Sequence, residues 1–302
     1  MASQLPFFSI VVPTFSRHRQ LADCLAGLAR LDYPRDRFEV IVVDDGSATP
    51  PREAVAAMAG PLDARLVCQS HAGPASARNT GAAQARGTFL AFTDDDCQPA
   101  PDWLTALAVH MERHPECACG GKTINALTAN PFSAASQLLI GYLYDYYNAD
   151  SEHARFLASN NFAMSKECFS SIGGFDTTYP YAAAEDRELC DRLLQLGRRM
   201  IYAPEAVVRH AHALNLVSFW RQHWNYGRGA YFFRRVRATR AHTGIRIEPP
   251  IFYLNLLRSP FSQIDPLRAS GIAVLLVLSQ IANAAGLLRE QIFPSMQPQA
   301  RR

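Results

Sequence analysis

The sequence predicts an α/β protein: a doubly wound, mainly parallel sheet flanked by helices, followed by a C-terminal helical segment. Three observations predict it. Strand-like and helix-like patterns alternate four times within about the first hundred residues, as successive βαβ units do. The strand candidates are short continuous apolar runs, as expected where helices cover both faces of a sheet. Two of these runs lead straight into carboxylates, and in open α/β sheets the ligand crevice lies beyond the carboxyl ends of the strands.

Taken in order, Ser9-Ile-Val-Val-Pro-Thr14 is a β-branched run that Pro13 ends. Leu21, Cys24, Leu25, Leu28 and Leu31 then recur at helical spacing, so an amphipathic helix follows. Phe38 to Val43 is a second strand, ending in Asp44-Asp45-Gly46-Ser47, and Arg65 to Cys68 is a shorter third. Gly73 to Arg86 reads as an alanine-rich helix opening from a Gly-Pro turn. Phe89 to Phe92, bounded by Gly87 and aromatic at both ends, is the next buried strand, and Asp94, Asp95 and Asp96 emerge from it. Further on, Glu185 and Asp186 open a helix whose apolar face is Leu189, Leu193, Leu194 and Leu196.

The chain's 302 residues give room for one large domain or two small ones, and 48% hydrophobic with 19% charged residues leaves no long disordered tract. Seven scattered cysteines fit a reduced, cytoplasmic-facing protein; Cys117 and Cys119 lie close, but no second pair completes a zinc site. The N-terminus lacks the basic start and long apolar stretch of a secretory signal. Charge is unevenly spread. No acid occurs between Glu205 and Glu248, an interval that holds Arg209, Arg221, Arg228, Arg234, Arg235, Arg237, Arg240 and Arg246.

Three adjacent carboxylates repel one another and are stable only with something positive among them. A hard divalent cation is the economical answer, since oxygen ligands suit magnesium or manganese. The bland alternative is a solvated acidic turn before a helix, with Pro99, Pro101 and Asp102 as turn and helix-start residues. A dinucleotide-binding domain needs a glycine-rich turn after its first strand, and Pro13-Thr-Phe-Ser-Arg-His18 has none. A nucleotide site remains, with one acid pair on base or ribose and the other holding a metal against a diphosphate.

These residues resemble the family 2 glycosyltransferases, which have the GT-A fold. The motifs lie in the family's order over roughly residues 8 to 212: Ser9–Thr14, Val42-Val-Asp-Asp-Gly-Ser47, Gly73-Pro-Ala-Ser-Ala-Arg-Asn79, Asp94-Asp95-Asp96 in place of the Asp-X-Asp motif, Gly173-Gly-Phe-Asp176, and Glu185-Asp186 within Tyr181–Arg187. The resemblance implies an inverting enzyme that moves a hexosyl group from a nucleotide-diphosphate sugar, a UDP-sugar first, to an acceptor hydroxyl. It implies Asp186 as catalytic base, and Pro13, Thr14, Asp44, Asp45, Arg78, Asp94 and Asp95 as nucleotide-sugar contacts, with Asn79 within reach of base or phosphate. Mg2+ or Mn2+ would be held by Asp94, Asp96, His210 and His212; Asn160, Asn161, Gly174, Asp176 and Glu185 would lie on the acceptor side. An extended backbone would turn Asp95 to the opposite face, where it serves a turn hydrogen bond. First-turn acids such as Glu185 and Asp186 also suit a helix dipole alone. The alternatives are a nucleotide-sugar-binding protein without turnover, or a nucleotidyltransferase.

The expected organisation is a catalytic domain over 1–213, with a nucleotide-sugar half to about 124 and an acceptor half over 125–213, then a basic, hydrophobic helical region over 214–302. Gln222-His223-Trp224 does not reproduce the Gln-X-X-Arg-Trp spacing of processive relatives, which favours single-sugar transfer. Ala269 to Leu288 is uncharged and long enough to cross a bilayer, while Ser279, Gln280, Asn283 and Gly286 make one stripe of it polar or small. With the aromatic-interleaved arginine block upstream, this points to the cytoplasmic face of the inner membrane of a bacterium, peripherally or through one C-terminal hydrophobic helix. The acceptor is then a lipid-linked or envelope glycan, and no nucleic-acid partner is expected.

Overall fold

The structure is a computed structural model that describes residues 5–179, 183–241 and 248–295; Tyr181 and Arg246 lie outside the described residues. The first half alternates as its apolar periodicity requires. Strands β1 (Phe8–Thr14), β2 (Phe38–Asp44), β3 (Ala64–Cys68) and β4 (Phe89–Phe92) are linked by helices α1 (His18–Leu28), α2 (Arg52–Ala56) and α3 (Pro74–Gln84). All four strands run parallel, with Thr14 in register with Asp44, so their carboxyl ends share one sheet edge.

Next come β5 (Cys97–Pro99), α4 (Trp103–Arg113), β6 (Ala118–Asn125), α5 (Pro131–Tyr147), β7 (Phe162–Ser165), α6 (Lys166–Ser171), α7 (Glu185–Gln195) and β8 (Met200–His210). They complete an eight-stranded sheet ordered β3-β2-β1-β4-β7-β6-β8-β5. β7 runs antiparallel to both its neighbours and β5 antiparallel to β8; the other pairs are parallel.

Strand side chains alternate between two cores, as the pleat dictates. Ile10, Val12, Val40 and Val42 pack against Leu21, Leu25 and Leu28 of α1 and Leu104 and Leu107 of α4. Val11, Ile41 and Val43 face the other way, onto α3, in a second core that also takes in Leu189, Cys190 and Leu193 of α7. The small residues of α3 let it lie close to the sheet: a Cβ on Gly81 would collide with Val11.

The helices α8 (Leu216–Ala241), α9 (Pro250–Arg258) and α10 (Pro266–Ile292) share a third core with α5, built on Leu139, Phe219, Leu256, Ile272 and Leu276. Backbones of α8 and α10 approach closely, since a Cβ on Gly227 would strike Asn283 and one on Gly286 would strike Trp224.

Three sequence expectations are corrected here. Leu194 and Leu196 are 40% and 57% exposed; the buried face of α7 is Leu189, Cys190 and Leu193, and Leu196 lies past the helix end. Part of the acid-free arginine block is paired, because acids arrive from other elements: Arg228 meets Glu290, Arg237 meets Asp191 and Arg240 meets Glu188. Phe219 and Phe232, two of the aromatics interleaved with that arginine block, are buried and so do not face headgroups.

Candidate active site

The strand-end acids gather at the carboxyl edge because of register. Thr93 still donates its amide to Val11 O, 3.3 Å, but the chain then turns, so Asp94, Asp95 and Asp96 leave the sheet in different directions. β5 pairs Cys97 with His210 of β8, which brings Asp96 Oδ1 and His210 Nε2 to 3.2 Å. The rings of His210 and His212 lie 5.0 Å apart, so the alternating histidines do share a side.

Much of the positive charge the acids require comes from arginine. Arg17 Nη1 lies 3.2 Å from Asp95 and 3.0 Å from Asp96, while Thr14 Oγ1 donates to Asp95 at 2.7 Å. Arg78, buried on α3, donates to Asp94 Oδ1 at 2.7 Å and to Glu185 Oε1 at 3.2 Å. Its guanidinium also lies over the Phe175 ring, 5.5 Å from the centroid.

These neighbours divide the carboxylates. Burial would raise Asp96, but the hydrogen bond and charge of His210, with Arg17, hold it well below the usual carboxylate range. Burial pushes Asp95 up to about 6 against the pull of Arg17. Desolvation lowers the His212 imidazole to about 4, helped by neighbouring His210, so it stays neutral. At the start of α7, burial and the adjacent Asp186 push Glu185 up to about 7, and burial raises Asp186 as well. Ala184 precedes that helix in the left-handed region, φ 73°, a conformation that L side chains rarely adopt.

At the far end, Asp45 is fixed from several sides. Gln69 Nε2 and the amide of Ala72 reach Oδ1 at 2.7 and 2.9 Å, and the amide of Gly73 reaches Oδ2 at 2.8 Å. Phe15 and His71 lie beside it with ring centroids 4.4 Å apart. Everything opens onto one cavity of about 830 Å3, lined by Pro13, Thr14, Asp45, Arg78, Asp94, Asp95, Asp96, Asn160, Glu185, Asp186, His210 and His212 among others.

This donor set fits a hard divalent cation. Asp94 and Asp96 offer carboxylate oxygens and His210 an imidazole nitrogen, all at the cavity wall. Cys97 stands beside Asp96 and His210, its fully buried thiol driven far up by desolvation and by Asp96, and a soft sulfur suits a hard cation less than the carboxylate oxygens do.

Residues 9–173, more than half of the chain, match the family described as glycosyl transferase family 2. The chain belongs to that family. Among its relatives, glycosyltransferase AglE of Haloferax volcanii is 36% identical over 106 residues, 34% of this chain and 35% of the relative. The pre-mycofactocin glycosyltransferase of Mycobacterium tuberculosis is 32% identical over 197 residues, 63% of this chain and 41% of the relative. The match thus spans less than half the length of both relatives. In fold, the chain is similar to the mannosyltransferase PcManGT of Pyrobaculum calidifontis, described in complex with GDP-Man and Mn2+, with a TM-score of 0.64 at 19% identity, covering 93% of this chain and 88% of that one. Staphylococcus aureus TarS 1–349 gives 0.55 at 17% identity, covering 93% and 89%. The sheet and helices are therefore of the GT-A kind.

Within this family 2 chain, several expected site residues do not line the cavity. Asp44 turns back to bind the amide and hydroxyl of Ser47. Asn161 is fully buried: its side chain accepts from Trp103 Nε1 at 2.8 Å and donates to Lys122 O and Ala206 O at 3.1 and 2.8 Å, bracing β6 against β8 where their register shifts. Gly174 has φ 69° and packs on Asn79, whose side chain pairs with both backbone groups of Phe175 rather than facing the cavity. Asp176 caps a local turn through Thr178. Asp95 lines the cavity, but its carboxylate is turned to Thr14 and Arg17, because the segment is a turn rather than extended.

Sequence reasoning missed Arg17, His71, Arg187 and Arg234 on the cavity wall. A usable signal existed for Arg17. It lies in the turn after β1, and register puts that turn beside the one after β4.

Proposed function

We propose that this chain is an inverting, single-sugar hexosyltransferase that takes its sugar from a nucleotide diphosphate, a UDP-sugar first, and gives it to an acceptor hydroxyl. The observation that carries this reading is the convergence of Asp94, Asp96, His210, Arg78 and Asp186 on one cavity. PcManGT, described with GDP-Man and Mn2+, and TarS, described with UDP-GlcNAc, support a nucleotide sugar as donor.

The leaving group is a dianion, and a bound Mg2+ or Mn2+ supplies Lewis-acid stabilisation for it. Asp94 and Asp96 are the carboxylates that would hold the ion, with His210 completing the set and neutral His212 beside it. Arg78 fixes Asp94 in place and ties it to Glu185. Asp45, Phe15 and His71 form the nucleotide end, with a flat wall and a fixed carboxylate. Asp186 is the base. Its Oδ1 already accepts the Arg187 amide at 2.7 Å, and among the described residues Oδ2 has no hydrogen-bond partner and would take the acceptor proton. Glu185 is engaged by Arg78, so a single carboxylate faces the acceptor, as one in-line displacement with inversion requires.

Residues 1–124 and 125–213 serve donor and acceptor, and 214–302 seat the enzyme on a membrane. α10 is long and apolar enough to cross a bilayer, but one stripe of it is packed inward, where Ala269, Ser279, Ala282 and Gly286 are buried alongside Ile272 and Leu276. Outward it presents Leu267, Val274, Ile281, Leu288 and Ile292, each more than half exposed. So much apolar surface on the outer face suits a helix lying against lipid. Because the inward stripe is packed on arginine-bearing α8, the helix lies in the interface plane rather than crossing it. This supports a place on the cytoplasmic face of a bacterial inner membrane, in envelope or extracellular polysaccharide synthesis.

Incubation with a panel of nucleotide sugars, with Mn2+, Mg2+ or chelator, tests the activity. Metal-dependent release of nucleoside diphosphate is expected. Binding of donor without release under any acceptor condition would leave a nucleotide-sugar-binding protein instead.

A further inference from the structure

We infer that Ser136, Gln222 and Tyr226 form a hydroxyl-reading subsite for the hexosyl group in transfer, and that this cluster selects which sugar the nucleotide carries. The inference rests on the glycosyl-transfer reading and adds to it the residues that choose the donor.

α8 presents Gln222 and Tyr226, one turn apart, to the cavity, and α5 brings Ser136 against them. Gln222 Nε2 donates to Tyr226 OH at 2.8 Å and to Ser136 Oγ at 3.0 Å. Those two bonds do not use up the cluster. Each hydroxyl carries one proton and the amide two, so two protons find no acceptor within it, whichever way the amide is turned. Among the described residues these hydroxyl and amide groups make no other hydrogen bond, and Gln222 Oε1 is buried with no partner at all. Asn283 of α10 joins them. Its backbone packs on Gly227, next to Tyr226, and its side chain lines the same cavity with no hydrogen-bond partner among the described residues.

Polar groups left unanswered at a cavity wall are costly, so a cluster that keeps them points to a ligand. Donors and lone pairs side by side, with no charge among them, match a sugar hydroxyl, which accepts and donates at one oxygen. A phosphate would answer the protons and leave the Gln222 carbonyl facing an anion. A hydrocarbon would answer neither.

Position assigns the cluster to the donor. Desolvation raises the Tyr226 phenol, and the negative charge of Asp186, Glu185 and Asp94 adds to this against the pull of the Gln222 hydrogen bond, so the phenol keeps its proton. Asp94 and Glu185 are the carboxylates that Arg78 ties together, and Asp186 is the residue after. Tyr226 therefore borders the space between the ion-holding acid and the base, where the sugar lies as it leaves the diphosphate.

The test titrates the full chain with Mn2+ by calorimetry, using UDP and GDP, then UDP-glucose, UDP-galactose, UDP-N-acetylglucosamine, GDP-glucose and GDP-mannose. The wild type is expected to favour one sugar over the others on the same nucleotide by at least about tenfold, the worth of one hydroxyl read by buried groups. Tyr226→Phe and Gln222→Met should each weaken that favoured donor by roughly tenfold and narrow its lead, while the bare nucleoside diphosphate stays within about twofold and thermal unfolding is unchanged. The two variants stand independently, so one that unfolds leaves the other to decide. A wild type that binds the bare diphosphate but every sugar alike would overturn the inference. So would variants that weaken the bare diphosphate as much, because the cluster would then serve the diphosphate. Variants that keep the favoured sugar's affinity would give the cluster to water and overturn it too. A wild-type chain that binds no nucleoside diphosphate, with or without Mn2+, would instead strike the glycosyl-transfer reading, and this inference with it.

Discussion

Arg78 and Glu185 are 107 residues apart in the chain and 3.2 Å apart in space. The same guanidinium reaches Asp94 at 2.7 Å. One buried side chain thus joins the acids after β4 to the acids that open α7, and sets the spacing between donor and acceptor ends of the cavity.

That contact does not keep Glu185 in the ordinary carboxylate range. Burial and the neighbouring Asp186 push it up to about 7, and Asp186 is raised too. A raised base is protonated, and idle, in mild acid. Turnover should therefore still be climbing with pH in the range, from about pH 5 upward, where an unperturbed carboxylate would already give a flat profile. Glu185→Gln removes the adjacent negative charge and should move the rising limb to lower pH. A pH–rate profile at saturating donor checks both.

Asp186→Asn keeps the shape of the base and removes its proton acceptor. Turnover should fall by roughly 10²–10⁴, the usual worth of general-base help, while donor affinity barely changes. Steady-state kinetics beside a donor titration separates these two quantities. Wild-type transfer by the variant would move the base elsewhere, with Glu185 the nearest candidate.

Asn161 makes a stability prediction rather than an activity one. Asn161→Ala strands the indole N–H of Trp103 and the carbonyls of Lys122 and Ala206, all inside the protein. With about 1–3 kcal/mol for each buried group left unpaired, a loss of at least about 2 kcal/mol is expected in urea unfolding. Asn160→Ala, which gives up one contact with Thr123 at the cavity wall, should cost less than about 1 kcal/mol.

How far the sequence could be read depended on how local the determinant was. β4 was legible to its last residue because a four-residue apolar run between Gly87 and three acids has one sensible reading. The start of the helix at Glu185 was legible from its acids, whereas its buried face was not, since Leu194 and Leu196 are exposed. The roles of Asn161 and Asp44 were not, since a polar residue at a strand or turn looks alike whether it faces a cavity or braces a bulge. Arg17 was hidden by a second cause. The repulsion among Asp94, Asp95 and Asp96 can be answered by a metal, by an arginine or by both, and composition does not distinguish them. The pairing of Arg228, Arg237 and Arg240 was not legible because their counter-ions, Glu290, Asp191 and Glu188, come from elements distant in the chain.

The outer face of α10 predicts vesicle binding. Val274→Glu with Ile281→Glu puts two charges on positions that are 67% and 53% exposed, away from the packed stripe. Each apolar side chain kept out of the interface forfeits about 1.5–3 kcal/mol, so flotation with anionic vesicles should weaken at least about tenfold with no loss of thermal stability. Unchanged flotation, or a shift from dimer to monomer in light scattering, would assign that face to something other than lipid.

The central claim is that the acids after β4, with His210, hold the ion that carries the donor. Calorimetric titration of UDP and GDP into the wild-type chain and Asp96→Ala, each with Mn2+ and with chelator, tests it most directly. The account predicts metal-dependent nucleotide binding in the wild type and none in the variant, which should remain folded because a strand-end carboxylate does not fill the core. Metal-dependent affinity that survives in Asp96→Ala would contradict it.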